Sequence, residues 1–425
     1  MKNTSALFIA IRYLIGRGHK GSRYLLGAAV GIALSLIPIM VTLIVADGMI
    51  QGITDRFLEL GTGHLQVWPY SSMLNAEKKI VEAKDMIVQF EKVRNVWEEK
   101  QGLGIVISAG GKTGTTIRAV EPSFLADSGS TRYLTVIEGE ASFTSDNDVL
   151  LGGELAKSIG AEIGKTLRVM TVRTSEDGRT IPMMNVFTVR GIISSGYHEL
   201  DSMWCLVTLN AGYKIFQNDN CYTYLMVKIE RPYKDALRTA ALIDQNVEGA
   251  FAIYTWKDIM SSQYSSYEST RQLLLLIMAL IVLVASVNVS SATSMLVIER
   301  QRDIAVLKSF GASPNDVKSI FLWGSFLTGL TGAIPGIAAG LLIGCNINRI
   351  VHGLEKFINI FTGLFNKAEV HILDPGFYLE TIPIIVDVKT VVLIAILTLF
   401  CSSAASLLPA IRAARTKPVE LIRKY

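Results

Sequence analysis

The stretch Val297-Ile298-Glu299-Arg300-Gln301-Arg302-Asp303-Ile304-Ala305-Val306-Leu307-Lys308-Ser309-Phe310-Gly311-Ala312-Ser313-Pro314 decides how this chain is read. A charged segment with Ile304 and Leu307 on one helical face runs into Gly311, and glycine ends helices because it takes left-handed backbone without a Cβ penalty. Ser313 then offers a side-chain oxygen to the open N–H groups of a new helix, with Pro314 at its first position and Asp316 at its third. The spacing predicts a short amphipathic helix with sharp ends. On either side lie uncharged runs, residues 273–296 and 319–345, each long enough to cross a hydrocarbon core about 30 Å thick. The stretch reads as an elbow between two membrane spans, shaped to enter a cleft on another protein or to lie on lipid headgroups.

Two further runs, 24–46 and 388–408, complete a set of four spans. They explain a chain of 425 residues that is 50% hydrophobic and only 18% charged, with mean hydropathy +0.38; soluble proteins carry about a quarter charged residues. The first run contains Gly27, Gly31 and Pro38, all tolerated in membrane helices. It is too long for a signal peptide, and Ile44-Val45-Ala46 leads into Asp47 with no small-residue cleavage site, so it reads as an uncleaved anchor.

Loop charges set the orientation. Lys2, Arg12, Arg17, Lys20 and Arg23 precede the first span. Arg300, Arg302, Lys308 and Lys318 separate the second and third. Arg412, Arg415, Lys417, Arg423 and Lys424 follow the fourth. These regions are expected in the cytoplasm: an amphipathic N-terminal helix at 1–23, the elbow at 297–318 and a tail at 409–425. Residues 346–387 mix Arg349, Lys356 and Lys367 with Glu355, Asp374, Glu380 and Asp387, as an outside loop does, and the large segment 47–272 is placed outside as well. The basic residues stand beside the apolar runs instead of forming an aromatic-interleaved patch, which argues against nucleic acid as a partner despite a net charge of +4.

The third span carries Gly324, Gly329, Gly332, Gly336, Gly340 and Gly344. Such small residues let helix backbones approach closely, either between the subunits of a dimer or against this chain's own helices.

The outside segment alternates strand-like and helical runs, an α+β pattern. Residues 64–70, 104–108, 115–120, 166–172, 185–193, 204–209, 222–229 and 251–256 read as strands; 77–99, 153–159, 210–216 and 232–246 read as helices. Residues 256–272 are polar and helical and are expected to continue into the second span. Nothing reads as a catalytic site. Gly110-Gly111-Lys112-Thr113 lacks the earlier glycine of a phosphate loop, since Val106 stands there, and is expected to be a hairpin turn. Gly61-x-Gly63-x-x-Gln66 fails the dinucleotide pattern at its last position. His64 and His198 are isolated and read as structural. No cysteine and histidine cluster suggests a metal. Cys345 and Cys401 lie in apolar runs as small buried hydrophobes. Outside the cytosol a disulfide between Cys205 and Cys221 is chemically permitted; whether their Cα atoms come close enough is a matter of geometry. Residues 174–182 (TSEDGRTIP) form a polar loop between two strands, either a plain connection or a docking element.

The elbow motif, with Phe8-Ile9-Ala10-Ile11-Arg12-Tyr13-Leu14, Gly63-His64-Leu65-Gln66-Val67, Phe377-Tyr378-Leu379-Glu380-Thr381-Ile382-Pro383 and Pro409-Ala410-Ile411-Arg412-Ala413-Ala414-Arg415-Thr416-Lys417-Pro418, resembles the FtsX/MacB-type permease superfamily. Within it, the opening and the segment before the fourth span resemble the lipoprotein-releasing permeases LolC and LolE. The resemblance covers nearly the whole chain. It implies an integral membrane α-helical protein with an α+β domain of the MacB-like periplasmic core type, in which a second subdomain, about 136–220, is inserted into the first. It also implies a bacterial inner-membrane ABC transporter permease that binds no cofactor itself. ATP and magnesium would belong to a separate LolD-like ATPase subunit, into which Glu299, Arg300, Arg302, Asp303, Ile304, Leu307, Lys308, Gly311 and Ala312 would insert as a coupling helix. The permease would pair with a second copy or a paralogue. Acylated lipoprotein would enter between the first and second spans and leave to a periplasmic LolA-like carrier. In the family a carrier-docking hook lies near Thr174, Asp177, Gly178, Arg179 and Pro182, although the fuller proline- and glutamine-bearing hook pattern is missing here.

For such a cargo, Ile37, Met40, Val41 and Ile44 of the first span and Leu275, Ile277, Met278 and Ile281 of the second are candidate lining, since an apolar wall replaces the lipid contacts that hold acyl chains at about 0.8 kcal/mol per CH₂. They would equally suit lipid or neighbouring helices. Two other functions share parts of this pattern. One is mechanotransmission to an efflux partner or a cell-wall hydrolase; the other is a membrane-anchored receptor without an ATPase, against which the four spans and the capped elbow argue.

Overall fold

The computed structural model describes residues 3–15, 20–70, 76–174, 180–216, 221–247, 251–364, 379 and 381–415. They fall into two compact units, one of Met1–Gly48, Glu268–Lys367 and Ile382–Tyr425, the other of Met49–Tyr267 and Ala368–Thr381.

Among the described residues, four helices are long and apolar enough to cross a membrane. Their helical bounds are Lys20–Arg56, Ser261–Glu299, Pro314–Cys345 and Val388–Ala405. The first three each contain one of the apolar runs and extend beyond it, because polar residues continue a helix once it leaves the lipid; the fourth run, 388–408, outlasts its helix and passes into a separate one at Leu407–Arg415.

Helix Pro314–Cys345 is the hub of the membrane unit, and its glycines show why. A Cβ added at Gly332 would lie 2.5 Å from the Ala29 carbonyl oxygen, at Gly336 2.8 Å from Ala33 Cα, at Gly340 2.6 Å from Met40 Cβ, and at Gly344 2.4 Å from Ile44 Cδ1. Every fourth residue of the third span therefore receives one turn of the first span. The stripe packs against this chain's own helix, which decides between the two uses open to it in the sequence. Gly329 makes the same approach to Ser402 of the fourth span, where an added Cβ would stand 2.4 Å from Oγ. Hydroxyls within this core are satisfied locally, as hydrocarbon requires: Thr328 Oγ1 donates to the Gly324 carbonyl at 2.9 Å, and Thr293 and Ser325 bond across the second and third spans at 3.0 Å. The N-terminal helix Asn3–Ile15 packs on Pro314–Cys345 and buries Ala6 and Ala10.

The other unit is built on one ten-stranded sheet. Its strands are β1 (Leu65–Pro69), β2 (Val93–Ser108), β3 (Gly111–Val120), β4 (Thr135–Gly139), β5 (Asp148–Gly152), β6 (Thr166–Thr174), β7 (Thr180–Ser194), β8 (Trp204–Thr208), β9 (Cys221–Ile229) and β10 (Phe251–Thr255). The order is β10-β1-β9-β2-β3-β8-β5-β7-β4, with β6 paired to β2 and β7. Segment 136–220 does not form a sheet of its own: β8 runs parallel to β3, with Ile117 opposite Cys205, and β6 joins β2, with Val106 opposite Val169. Backbone bonds thus continue from the enclosing chain into the inserted one.

The helix expected over 77–99 stops early. Ala76–Ile87 is helical, but Val93 begins β2, where Val93 lies opposite Ile229 and Trp97 opposite Met226. Pairing with a strand more than a hundred residues later outweighs the local pattern. Strands β4 and β5 were not read from the sequence; their ladders come from distant partners, β7 for both and β8 for β5. The Gly110-Gly111 hairpin is present, closing β2 and β3 with Ser108 opposite Gly111. No disulfide joins Cys205 and Cys221; Cys205 is buried among Ile117, Val149 and Val207, where burial pushes its pKa up to about 12. His198 stands 3.5 Å from Glu154, half-exposed and structural.

Candidate coupling elbow and transmembrane site

The elbow helix spans Gln301–Ser309, with Arg300 ahead of it and Gly311 behind it at φ 87°. The next helix begins with a complete capping box: Asp316 N–H donates to Ser313 Oγ, and Ser313 N–H donates to Asp316 Oδ2 at 2.9 Å. Such reciprocal bonds satisfy two helix-end donors and fix the turn angle.

Two inward anchors hold the helix. Ile304 is buried with Leu25, Leu296, Val317, Phe321 and Ala413, Ala305 next to it is buried too, and Lys308 Nζ donates to the Ala414 carbonyl at 2.6 Å. Arg300 Nη1 lies 3.0 Å from Asp303 Oδ2. Leu307 and Ala312 are half-buried, while Glu299, Arg302 and Gly311 are exposed. The outward surface also carries Val306, 48% exposed, and Phe310, 86% exposed. Ile304 therefore faces the chain's own helices, and the apolar contact offered outward is Val306 with Phe310. The reading from Ile304 and Leu307 missed them. The signal was a phenylalanine directly before the terminating glycine, where a helix end has little of its own chain to pack on.

The transmembrane candidates divide similarly. Met40, Ile44 and Met278 are buried in the helix core, Met40 and Ile44 against the third-span glycines. Ile37, Val41 and Leu275 are half-buried, and Ile277 and Ile281 are exposed. The second span presents a continuous apolar ridge of Leu273, Leu276, Ile277, Leu280, Val284 and Val287 at helical spacing, each 43% to 64% exposed. Met40, Ile44 and Met278 are thus buried against this chain's own helices, and the apolar surface that the second span leaves exposed is this ridge. At the ends of the spans away from the elbow Arg271 meets Asp47 at 3.0 Å and Asp387 at 3.3 Å, joining the first, second and fourth helices.

In the sheet unit the first helix ends in a wider turn, Phe57–Thr62, held by charges. Fully buried Lys228 lies 2.9 Å from Glu59 and 2.8 Å from Asp127, and donates to Ser130 Oγ at 3.2 Å. Burial alone would raise the Asp127 pKa, but Lys228 outweighs it and holds the carboxyl below its usual range. His64 Nδ1 stands 2.8 Å from Ile229 N and 3.0 Å from Ile229 O, and its Nε2 stands 3.2 Å from Glu59 Oε1. Arg118 binds Glu99 through two nitrogens and donates to the Leu60 carbonyl at 2.7 Å. Buried charges require such pairing. The histidine thus serves the turn, as its isolation in sequence suggested.

Of the loop residues, Thr174 and Pro182 belong to the β6–β7 hairpin, where Thr174 lies opposite Thr180 and Val172 opposite Pro182. Asp177, Gly178 and Arg179 lie outside the described residues, as do Phe377, Tyr378, Glu380 and residues 416–425. Among the described residues no group of acidic, histidine or cysteine side chains is placed to hold a metal.

Four spans, a capped elbow and a large α+β domain between the first two spans define a permease of the FtsX/MacB type. The MacB-like periplasmic core domain matches residues 25–244, more than half of the chain, and the FtsX-like permease C-terminal region matches residues 275–418, so the chain belongs to this family. It is 26% identical to the lipoprotein-releasing system transmembrane protein LolC of Neisseria meningitidis over 98% of each chain. Against LolC of Xylella fastidiosa it is 26% identical over the full length of both, and against LolE of Haemophilus influenzae 22% identical over 98% of this chain and 99% of that one. The periplasmic region of MacB from Actinobacillus actinomycetemcomitans aligns with 49% of this chain and 95% of its own at 13% identity and a TM-score of 0.32.

Proposed function

We propose that this chain is the permease subunit of an ABC transporter that extracts lipoproteins from the outer leaflet of the bacterial inner membrane and passes them to a periplasmic carrier. The observation that carries this reading is end-to-end similarity to relatives named as lipoprotein-releasing permeases. Both termini and the elbow lie in the cytoplasm in this reading, and the sheet unit lies in the periplasm. The chain hydrolyses nothing itself; ATP and magnesium sit in a separate ATPase subunit.

The elbow supplies the contact with that subunit. Glu299, Arg302, Val306, Phe310 and Gly311 form the outward surface, while Ile304 and Lys308 tie the helix to the spans behind it. Force on the elbow then reaches the membrane core through Val317, Phe321 and Leu296 instead of being lost in a loose hinge. Acyl chains lie along the second-span ridge around Leu276 and Leu280 in an assembly with a second permease copy or a paralogue. Without such a wall, a multiply acylated protein leaves the bilayer too slowly to be useful. The β6–β7 hairpin is the candidate carrier-docking element.

Depletion of the protein tests this directly. Lipoproteins destined for the outer membrane should accumulate in the inner-membrane fraction. Normal sorting combined with failed efflux or failed division would instead assign the chain to mechanotransmission of another kind.

A further inference from the structure

Helix Ile347–Leu364 begins two residues after the third span ends at Cys345. Ile347, Ile350, Val351, Leu354, Phe357 and Ile358 recur at helical spacing and form one stripe, while Arg349, His352, Lys356 and Asn359 occupy the opposite side together with one exposed apolar residue, Ile360. The roll of the helix is fixed by one side chain. Asn348 Nδ2 donates to the Ile382 carbonyl at 2.9 Å, and Ile382 N–H donates to Asn348 Oδ1 at 3.1 Å. Leu354 follows six residues later and stands about 120° around the axis from Asn348. The clamp therefore turns the stripe away from the segment it binds, leaving Ile350 36%, Leu354 49% and Phe357 61% exposed.

Contiguous exposed side chains of this size mark a contact surface, and the setting identifies what they contact. The helix starts where the hydrocarbon-crossing stretch stops, level with the headgroups. Arg349 and Lys356, seven residues apart on the side opposite the stripe, face the lipid phosphates when the stripe faces the acyl chains.

We propose that helix Ile347–Leu364 lies flat in the outer-leaflet interface of the membrane, with Ile350, Leu354 and Phe357 among the acyl chains and Arg349 and Lys356 at the phosphates. The proposal is independent of the cargo and stands whether or not the chain releases lipoproteins. A helix so seated anchors the connection between the third and fourth spans. Through Asn348 it also fixes the depth of the Ile382-Pro383 strap, whose carbonyl oxygen at Pro383 would lie 2.1 Å from a Cβ added at Gly48.

The test uses full-length protein with its native cysteines replaced, carrying a nitroxide at Leu354→Cys or at His352→Cys, in nanodiscs of phosphatidylethanolamine and phosphatidylglycerol. Relaxation by oxygen, which concentrates in lipid, is compared with relaxation by a water-soluble nickel chelate. The oxygen-to-nickel ratio should be several-fold higher at Leu354 than at His352. Equal nickel access at both positions would place the helix in water and overturn the proposal. Protection of Leu354 from both reagents, with a short distance between labels on two copies, would assign the stripe to a second permease and overturn it equally. Should the cysteine-free protein not fold, Leu354→Trp in the native background should gain fluorescence quenching by brominated phosphatidylglycerol relative to the parent protein; no gain would also overturn it.

Discussion

The Arg271 guanidinium lies 3.0 Å from the Asp47 carboxylate, tying the outer end of the first span to the start of the second. The same side chain reaches Asp387 at 3.3 Å at the start of the fourth. One cation thus serves two carboxylates that would otherwise repel each other at the mouth of the helix bundle.

Asp47 is shielded, with its side chain 12% exposed, but Arg271 is 43% exposed and Asp387 36%, so solvent discounts the energy. Replacing Arg271 with alanine should cost about 0.5–1 kcal/mol, read as a small drop in the unfolding temperature in detergent. The Arg271→Ala and Asp47→Asn pair should be less than additive, and 1 M salt should erase the difference. Additive effects would mean the contact contributes nothing.

Removing Lys228 has a larger expected cost. Lys228→Met leaves Glu59 and Asp127 facing each other without a cation and should destabilise by about 3–5 kcal/mol. Adding Glu59→Gln and Asp127→Asn should restore much of the loss. If the triple variant is no more stable than the single one, the loss comes from packing and not from charge.

The same cluster predicts an acid limb. Asp127 has a folded-state pKa below its unfolded one, so the unfolded chain binds more protons and acid favours unfolding. The stabilisation is complete above about pH 5 and is lost as pH falls through about 3.9 toward the lower folded value. Thermal scans of Asp127→Asn should show a flatter decline over that window than the parent protein.

The third-span glycines should not be equivalent. At Gly336 an added Cβ meets the backbone of Ala33, at Gly344 only the flexible tip of Ile44, and at Gly324 nothing within 4 Å. Alanine at Gly336 should therefore cost about 1–3 kcal/mol, alanine at Gly344 less, and alanine at Gly324 nothing measurable by thermal unfolding. Equal effects at all three positions would contradict the packing.

Phe310 is 86% exposed, so Phe310→Ala should leave the unfolding temperature unchanged. Recovery of the ATPase subunit with the tagged permease should nevertheless fall sharply, as expected for an aromatic contact worth about 2 kcal/mol or more. Undiminished recovery would remove Phe310 from the interface. Gly311→Val should lower both the unfolding temperature and the recovery, because its left-handed backbone disfavours a branched side chain by about 1–2 kcal/mol.

The four apolar runs, the elbow with its Gly311 stop and Ser313 cap, and the α+β character of the outer domain were legible in the sequence because each depends on neighbouring residues alone. Lipid selects long apolar stretches, and helix ends select particular side chains. Tertiary structure decided what those stretches face. That Gly336 receives Ala33, that Ile304 turns inward while Phe310 points out, and that Val93 joins a strand instead of a helix all depend on residues distant in the chain. Hydrophobicity is non-directional, so a sequence can show that a side chain will leave water without showing which neighbour will cover it.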